Sequence, residues 1–389
     1  MRNSFFLSTL GLLAVILASC APVVTPAVDP NAVMTQAVAT VFAGITQTAQ
    51  FTPPPSETPA PTATVPRTPP AVPGPYQSPL LNPLDAPHTY IQDSCQYLKA
   101  KWDANNSAPG TIVMVVMLHG IEKGVEDVAD PKNISAKDFR KVMDGLKEQG
   151  FEAINTQQLA DFLEYNAKIP PRSVVLIQDD RHFAENFNTH FRTYWEQWGW
   201  PVVNAWISYP ETTQSLWDQN AQLEAEGWVD HQAHGVVHNI PMSGSSTDEY
   251  IIGELQGAIT ASQQHFNKTP IAIIWPGGGF GVRPAQIARQ LGYRLGFTIN
   301  PRGPIMFNWV PLADQGDPQR PYYLPEGAVN DPLMTLPRYW PHQVLSMLDT
   351  LRVMGEEAAA YAEQNKATEL EYYDIVCAPA YGAIPAAAP

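Results

Sequence analysis

Between residues 112 and 299, short apolar runs alternate with helix-patterned segments, and few architectures accept that order. Residues 112–118, 173–178, 202–207, 271–275 and 293–299 are strand-length and mostly apolar, as strands buried on both faces are. The segments between them read as helices. Residues 135–149 start at a capping Ser135 with Asp138 in capping-box position. They carry Phe139, Val142, Met143 and Leu146 on one face and stop at Gly150. Helices are also expected at 156–165, 184–198, 213–226, 246–266, 283–291 and 341–364. Such alternation predicts an α/β fold with a parallel sheet, open or closed into a barrel. The roughly 300 residues from 85 to 389 suit one α/β barrel better than two small domains. In either form, functional groups collect at the carboxyl ends of the strands.

The chain before that region is different. Arg2, an apolar stretch at 5–17 and Leu17-Ala18-Ser19-Cys20 form an export signal. Its apolar core is too short to span a membrane. The cysteine at the cut resembles a bacterial lipoprotein signal, in which Cys20 carries the lipid; the alternative is an ordinary secretory signal. Residues 1–20 are therefore read as the signal and 21–84 as a Pro/Thr/Ala-rich disordered tether, with a weak helix pattern at 31–47. The expected location is extracytoplasmic, lipid-anchored to the cell membrane. A net charge of −15 argues against nucleic acid as a partner. Beyond Cys20, only Cys95 and Cys377 remain, near the two ends of the globular region. They form either one disulfide or two unrelated buried thiols.

Two pieces carry the chemistry. Asp179-Asp180 closes the run at 173–178, and His234-Gly-Val-Val-His238 lies further on. The histidine spacing lets two imidazoles reach one ion. A carboxylate added to them gives three ligands with an open position, the pattern of a catalytic metal site. His231 competes as a ligand. Of two adjacent carboxylates, one binds the ion and the other is free to take a proton from water on it. The run Gly277-Gly-Gly279-Phe-Gly281 lacks the Gly-Lys-Ser/Thr of a phosphate loop and reads as a tight turn.

Through these residues the region 112–299 resembles the polysaccharide deacetylases, the NodB-homology or carbohydrate esterase family 4 group. Leu176-Ile-Gln-Asp-Asp-Arg181 stands where that family has Thr-Phe-Asp-Asp-Gly. His234-Gly-Val-Val-His238 stands for its His-Ser/Thr-x-x-His. The branch acting on poly-N-acetylglucosamine is the nearest in pattern. Leu118-His-Gly-Ile121 is similar to its Tyr-His-x-Ile. Ser135-Ala-Lys-Asp-Phe139, Leu146-Lys-Glu-Gln-Gly-Phe151 and Leu291-Gly-Tyr-Arg-Leu-Gly-Phe-Thr298 add to the likeness.

The resemblance implies a distorted (β/α) barrel and a hydrolase that removes N-acetyl groups from an envelope or matrix glycan. It implies that Asp180, His234 and His238 hold zinc or another divalent transition metal, that Asp179 is the general base and that His119 is the general acid. It places Trp275, Pro276, Gly277 and Arg338 on the substrate. Trp275, Trp309, Tyr339 and Trp340 either stack on sugar rings or fill the core.

The departures from the family are Gln178 for Phe, Arg181 for Gly, and a third motif, Ile274-Trp-Pro-Gly-Gly278, without its arginine. Arg181 or Arg338 is expected to replace that arginine beside the base. The late Leu-x-x-His motif is not visible, so the acid falls to His119, with His342 and His182 as alternatives. Two other functions suit the same scaffold: a non-catalytic carbohydrate-binding protein and an O-acetyl esterase.

Overall fold

The computed structural model describes residues 67–238 and 240–386. The signal, Cys20, the helix pattern at 31–47 and most of the tether lie outside the described residues. Six parallel strands form the central sheet: β1 (Ile112–Leu118), β2 (Arg172–Asp179), β3 (Val202–Trp206), β4 (Val229–Ala233), β5 (Ala272–Ile274) and β6 (Leu295–Phe297). They pair in chain order from β1 to β6, and the short strand Glu152–Ala153 adds to β2. β4 is not among the strands read from sequence, because Asp230, His231 and Gln232 break its apolar run.

Helices link the strands: α1 (Ser94–Trp102) before β1, α2 (Ala136–Glu148) and α3 (Thr156–Tyr165) after it, then α4 (Ala184–His190), α5 (Arg192–Trp198), α6 (Gln214–Glu226), α7 (Asp248–Phe266), α8 (Val282–Gln290) and α9 (Val344–Tyr372). Ser135 caps α2 as its sequence predicts, accepting the Asp138 N–H at 3.0 Å. The single helix expected at 184–198 is two, divided at Phe191.

Strand periodicity then sorts the side chains. Ile112, Met114, Val116 and Leu118 point outward to a core shared with α2 and α9. Val113 and Val115 point inward, with Val175, Ile177, Val203, Ala205, Ala272, Ile274, Leu295 and Phe297. That inner cluster draws on five of the six strands, so the sheet is curled around it as a distorted (β/α) barrel.

The gap between β6 and β1 is closed by an extended segment, residues 336–339. The Leu336 N–H donates to the Gly296 carbonyl at 2.7 Å and Tyr339 N–H to that of Val115 at 2.7 Å. Leu336 faces inward and Tyr339 outward, so the segment obeys the same alternation as the strands.

Residues 67–84, expected in the tether, lie on the domain. Tyr76 stacks on Trp309 and its hydroxyl donates to Glu357 at 2.6 Å; Tyr361 donates to the Gly74 carbonyl at 2.9 Å. Cys95 and Cys377 are joined by a disulfide, which ties α1 to the turn after α9. None of the described helices is long and apolar enough to cross a membrane.

One buried ion network secures the lower loops. Arg302 donates to Asp85 at 2.9 Å and to Glu326 at 3.0 Å, and all three side chains are almost wholly shielded from solvent. Arg302→Met would leave two buried carboxylates with less compensation. It is expected to lower unfolding free energy by about 3–5 kcal/mol in urea titration, since a broken buried pair costs that much.

Candidate metal centre and its paired carboxylate

The alternation of β2 decides what its two aspartates do. Val175 and Ile177 face the barrel interior, so Asp179 does too, at the carboxyl end and only 2 % exposed. Asp180 is the next residue, outside the strand, with a left-handed backbone (φ 72°) that turns it away from the extended path. Adjacent in sequence, the two carboxylates thus occupy different environments.

Asp179 is held by Arg338, which arrives on the closing segment. Arg338 Nη1 donates to Oδ1 at 2.7 Å and Oδ2 at 3.0 Å, while its Nε donates to the Thr298 carbonyl at 2.7 Å. Burial raises the Asp179 pKa, but the charge of Arg338, joined by those of His119 and His234 where they are protonated, outweighs it and holds the carboxyl down at about 2. Arg338 therefore occupies the role expected of the missing third-motif arginine. It is 1 % exposed and committed to Asp179, so it is not free to bind substrate as anticipated. Arg181 points elsewhere: it donates to the Thr212 hydroxyl at 2.9 Å and lies over the Tyr209 ring.

His234 follows β4 and shares the inward face. Its Nδ1 donates to the Ile274 carbonyl at 2.7 Å, which fixes the proton there and leaves Nε2 as a lone-pair donor. Burial lowers its pKa to about 4 against the raising effect of Asp179, so the ring is neutral. His231, three residues earlier, falls on the opposite face by strand parity. There both its nitrogens are engaged, Nδ1 with Glu224 at 2.9 Å and Nε2 with Asn220 at 3.0 Å. It is not a competing ligand.

His238 comes round to His234 on a loop organised by Glu254, a buried carboxylate on α7 that sequence reasoning passed over. Glu254 accepts N–H groups from Val236 (2.8 Å), Val237 (3.0 Å) and His238 (3.4 Å). Gly235 has φ 77°, and a Cβ there would run into the Glu254 carboxylate, so glycine is required. His238 is itself left-handed (φ 65°), and its ring centroid is 4.4 Å from that of His234.

As a result, ligand atoms of Asp180, His234 and His238 all lie within 4.8 Å of one another. One carboxylate and two imidazoles, one with its tautomer already set, suit a divalent transition ion with an open coordination position.

His119 is beside this centre. Its Nε2 is 3.6 Å from Asp179 Oδ2, and its ring stacks on Trp340 with centroids 5.8 Å apart. Gln178, standing for the family's Phe, donates to the His119 carbonyl at 2.5 Å. His182 is within 2.9 Å of the Asp179 carbonyl oxygen, and His342 is exposed on the turn before α9.

The expected substrate contacts fare differently. Trp275 is fully buried on the outward face of its strand and donates to the Met334 carbonyl at 2.8 Å, so it packs the core and offers no face to a sugar. Pro276 is buried too; Gly277 is exposed on the turn after β5, with φ 58°.

Residues 167–296 match the family described as polysaccharide deacetylase. The match covers about a third of the chain. The matched stretch contains Asp179, Asp180 and the whole His234–His238 loop. Solved structures similar to this chain include the deacetylase PplD of Streptococcus pyogenes (18% identity, covering 63% of this chain and 99% of that one, TM-score 0.48). IcaB of Ammonifex degensii is similar at 15% identity over 63% and 98%, TM-score 0.46. A polysaccharide deacetylase of Bacillus cereus is similar at 17% over 61% and 69%, TM-score 0.44. No curated protein matches the chain.

Glu254 holds His238 in place through the backbone. Glu254→Ala is expected to weaken divalent-ion binding about 10–100-fold by calorimetry while far-ultraviolet circular dichroism is kept.

Proposed function

We propose that this chain is a metal-dependent deacetylase that hydrolyses N-acetyl groups on a glycan of the envelope or matrix, with Asp179 as its general base. The observation that carries this reading is the pairing of a three-ligand cluster, Asp180, His234 and His238, with a separate buried carboxylate fixed by Arg338. A divalent ion in that cluster, with zinc best suited to a carboxylate and two imidazoles, would polarise the acetyl carbonyl and make water more acidic.

The chain's own residues do the rest. Arg338 keeps Asp179 ionised and aimed at one position, so that the carboxylate accepts the proton of the attacking water. That water oxygen bonds to the acetyl carbon, the carbon–nitrogen bond breaks, and the nitrogen leaves as the sugar amine once it gains a proton. His119 is proposed to deliver that proton: its Nε2 is near Asp179 and its ring is held against Trp340. Acetate and a free amine are the products.

The finer parts of the reading rest on sequence. The Leu118-His-Gly-Ile121 phrase favours poly-N-acetylglucosamine-type substrates. The signal ending at Cys20 favours a lipid anchor on the cell membrane, with the Pro-rich residues after it as a spacer.

Wild type loaded with zinc is expected to release acetate from N-acetylglucosamine oligomers. Asp179→Asn should keep stoichiometric zinc but lose release by a factor of about 10²–10⁴. Stoichiometric metal without release from any acetylated glycan would mean a binding protein instead, and release only from O-acetylated xylan an esterase.

Ligand identity has its own test. His234→Ala should lose zinc by calorimetry and His231→Ala should keep it; the reverse pattern contradicts the assignment.

A further inference from the structure

A cavity of about 290 Å³ lies at the other end of the barrel. It is bounded by Gly110 and Thr111 before β1, by Asn166 at the end of α3, by residues 306–309 and by α1 and α9. The seven residues of β1, at about 3.3 Å each, separate it by roughly 20 Å from the ends that carry Asp179 and His119.

Two properties restrict what it can hold. Its walls are aromatic: Tyr97 stacks on Phe307 with centroids 5.9 Å apart, and Tyr76 on Trp309 at 6.1 Å. The lining also carries polar groups to which no described residue hydrogen-bonds: the hydroxyls of Tyr97 and Thr111, and the amide nitrogen of Asn308. Asn308 spends its oxygen on the N–H groups of Tyr90 (2.8 Å) and Ile91 (2.7 Å), which leaves its NH₂ unused. Thr111 and Asn308 are only 4 % and 6 % exposed, and both line this cavity.

The charges there cancel. Lys101 Nζ donates to Glu369 at 2.9 Å, and its ammonium lies 5.5 Å from the centroid of the Tyr97 ring. A charged ligand would find no free countercharge. A purely apolar one would strand the three polar groups from water, at about 1–3 kcal/mol each. A molecule with a flat apolar face and several hydroxyls meets both conditions. The volume is just under the roughly 300–1,000 Å³ of sites for drug-sized ligands, so it takes one ring unit and not a chain.

We propose that this cavity is a second saccharide site, binding one neutral hexose or N-acetylhexosamine unit on the face of the barrel opposite Asp179. It stands on the cavity alone; failure of the deacetylase reading would leave it untouched.

Met306 lines the cavity and reports on it. In the full chain labelled with ¹³C-methyl methionine, the Met306 resonance, assigned with Met306→Leu, is expected to shift saturably as N-acetylglucosamine is added. The Tyr97→Phe/Thr111→Val pair keeps the cavity's shape and removes two donors. It should raise the sugar concentration needed by about tenfold. Asp179→Asn should leave the Met306 titration unchanged, which separates this site from the catalytic one. Should the double variant lose native circular dichroism, Tyr97→Phe alone is read, with a smaller shift in the same direction. A Met306 signal unmoved by N-acetylglucosamine and glucose overturns the proposal. So does one moved by indole but not by sugar, or a double variant with wild-type affinity.

Discussion

The pair formed by Arg338 and Asp179 joins the closing of the barrel to the setting of its chemistry. Arg338 is brought in by the segment that bridges β6 and β1, and Asp179 ends β2 inside. Both are almost wholly buried, so each is the other's main compensation. Removing the arginine alone would leave an unpaired buried carboxylate, at a cost of about 3–5 kcal/mol. A barrel that failed to close would therefore lose both stability and the fixed orientation of Asp179.

The two neighbouring aspartates show how backbone geometry divides labour. Asp179 keeps the extended path and enters a dry, positively compensated interior. Asp180 leaves it through a left-handed turn, as does His238 on the facing loop. Such conformations cost on the order of 1–3 kcal/mol each and persist only where neighbours enforce them. For His238 the enforcing neighbour is Glu254, whose carboxylate gathers three successive N–H groups. The proposed metal site is thus built on the folded loop and does not have to be assembled by the ion.

Much of this was legible in the sequence. Apolar runs gave five of the six barrel strands, and Ser135 gave the start of α2, because burial on both faces and capping leave local signatures. The pair Asp179-Asp180 and the histidine spacing pointed to the candidate site, whose side chains the fold brings together. What stayed hidden was long-range. Strand β4 carries Asp230, His231 and Gln232, so its run does not look apolar, and without it the opposite facing of His231 and His234 could not be derived. Residues 336–339 contribute one segment with no periodicity, so nothing local marks Arg338 as the partner of Asp179. For Trp275 the resemblance points to a sugar contact and composition leaves core filling open; parity sends it outward into the core. Glu254 has no motif at all; its role exists only once α7 packs behind the loop.

The most direct test is a crystal structure of the zinc-soaked protein with anomalous scattering at the zinc edge. One ion is expected, bound by Asp180, His234 and His238, with Asp179 off the ion and still paired to Arg338. An ion bound by Asp179, with Arg338 displaced, or zinc at His231 would contradict the account.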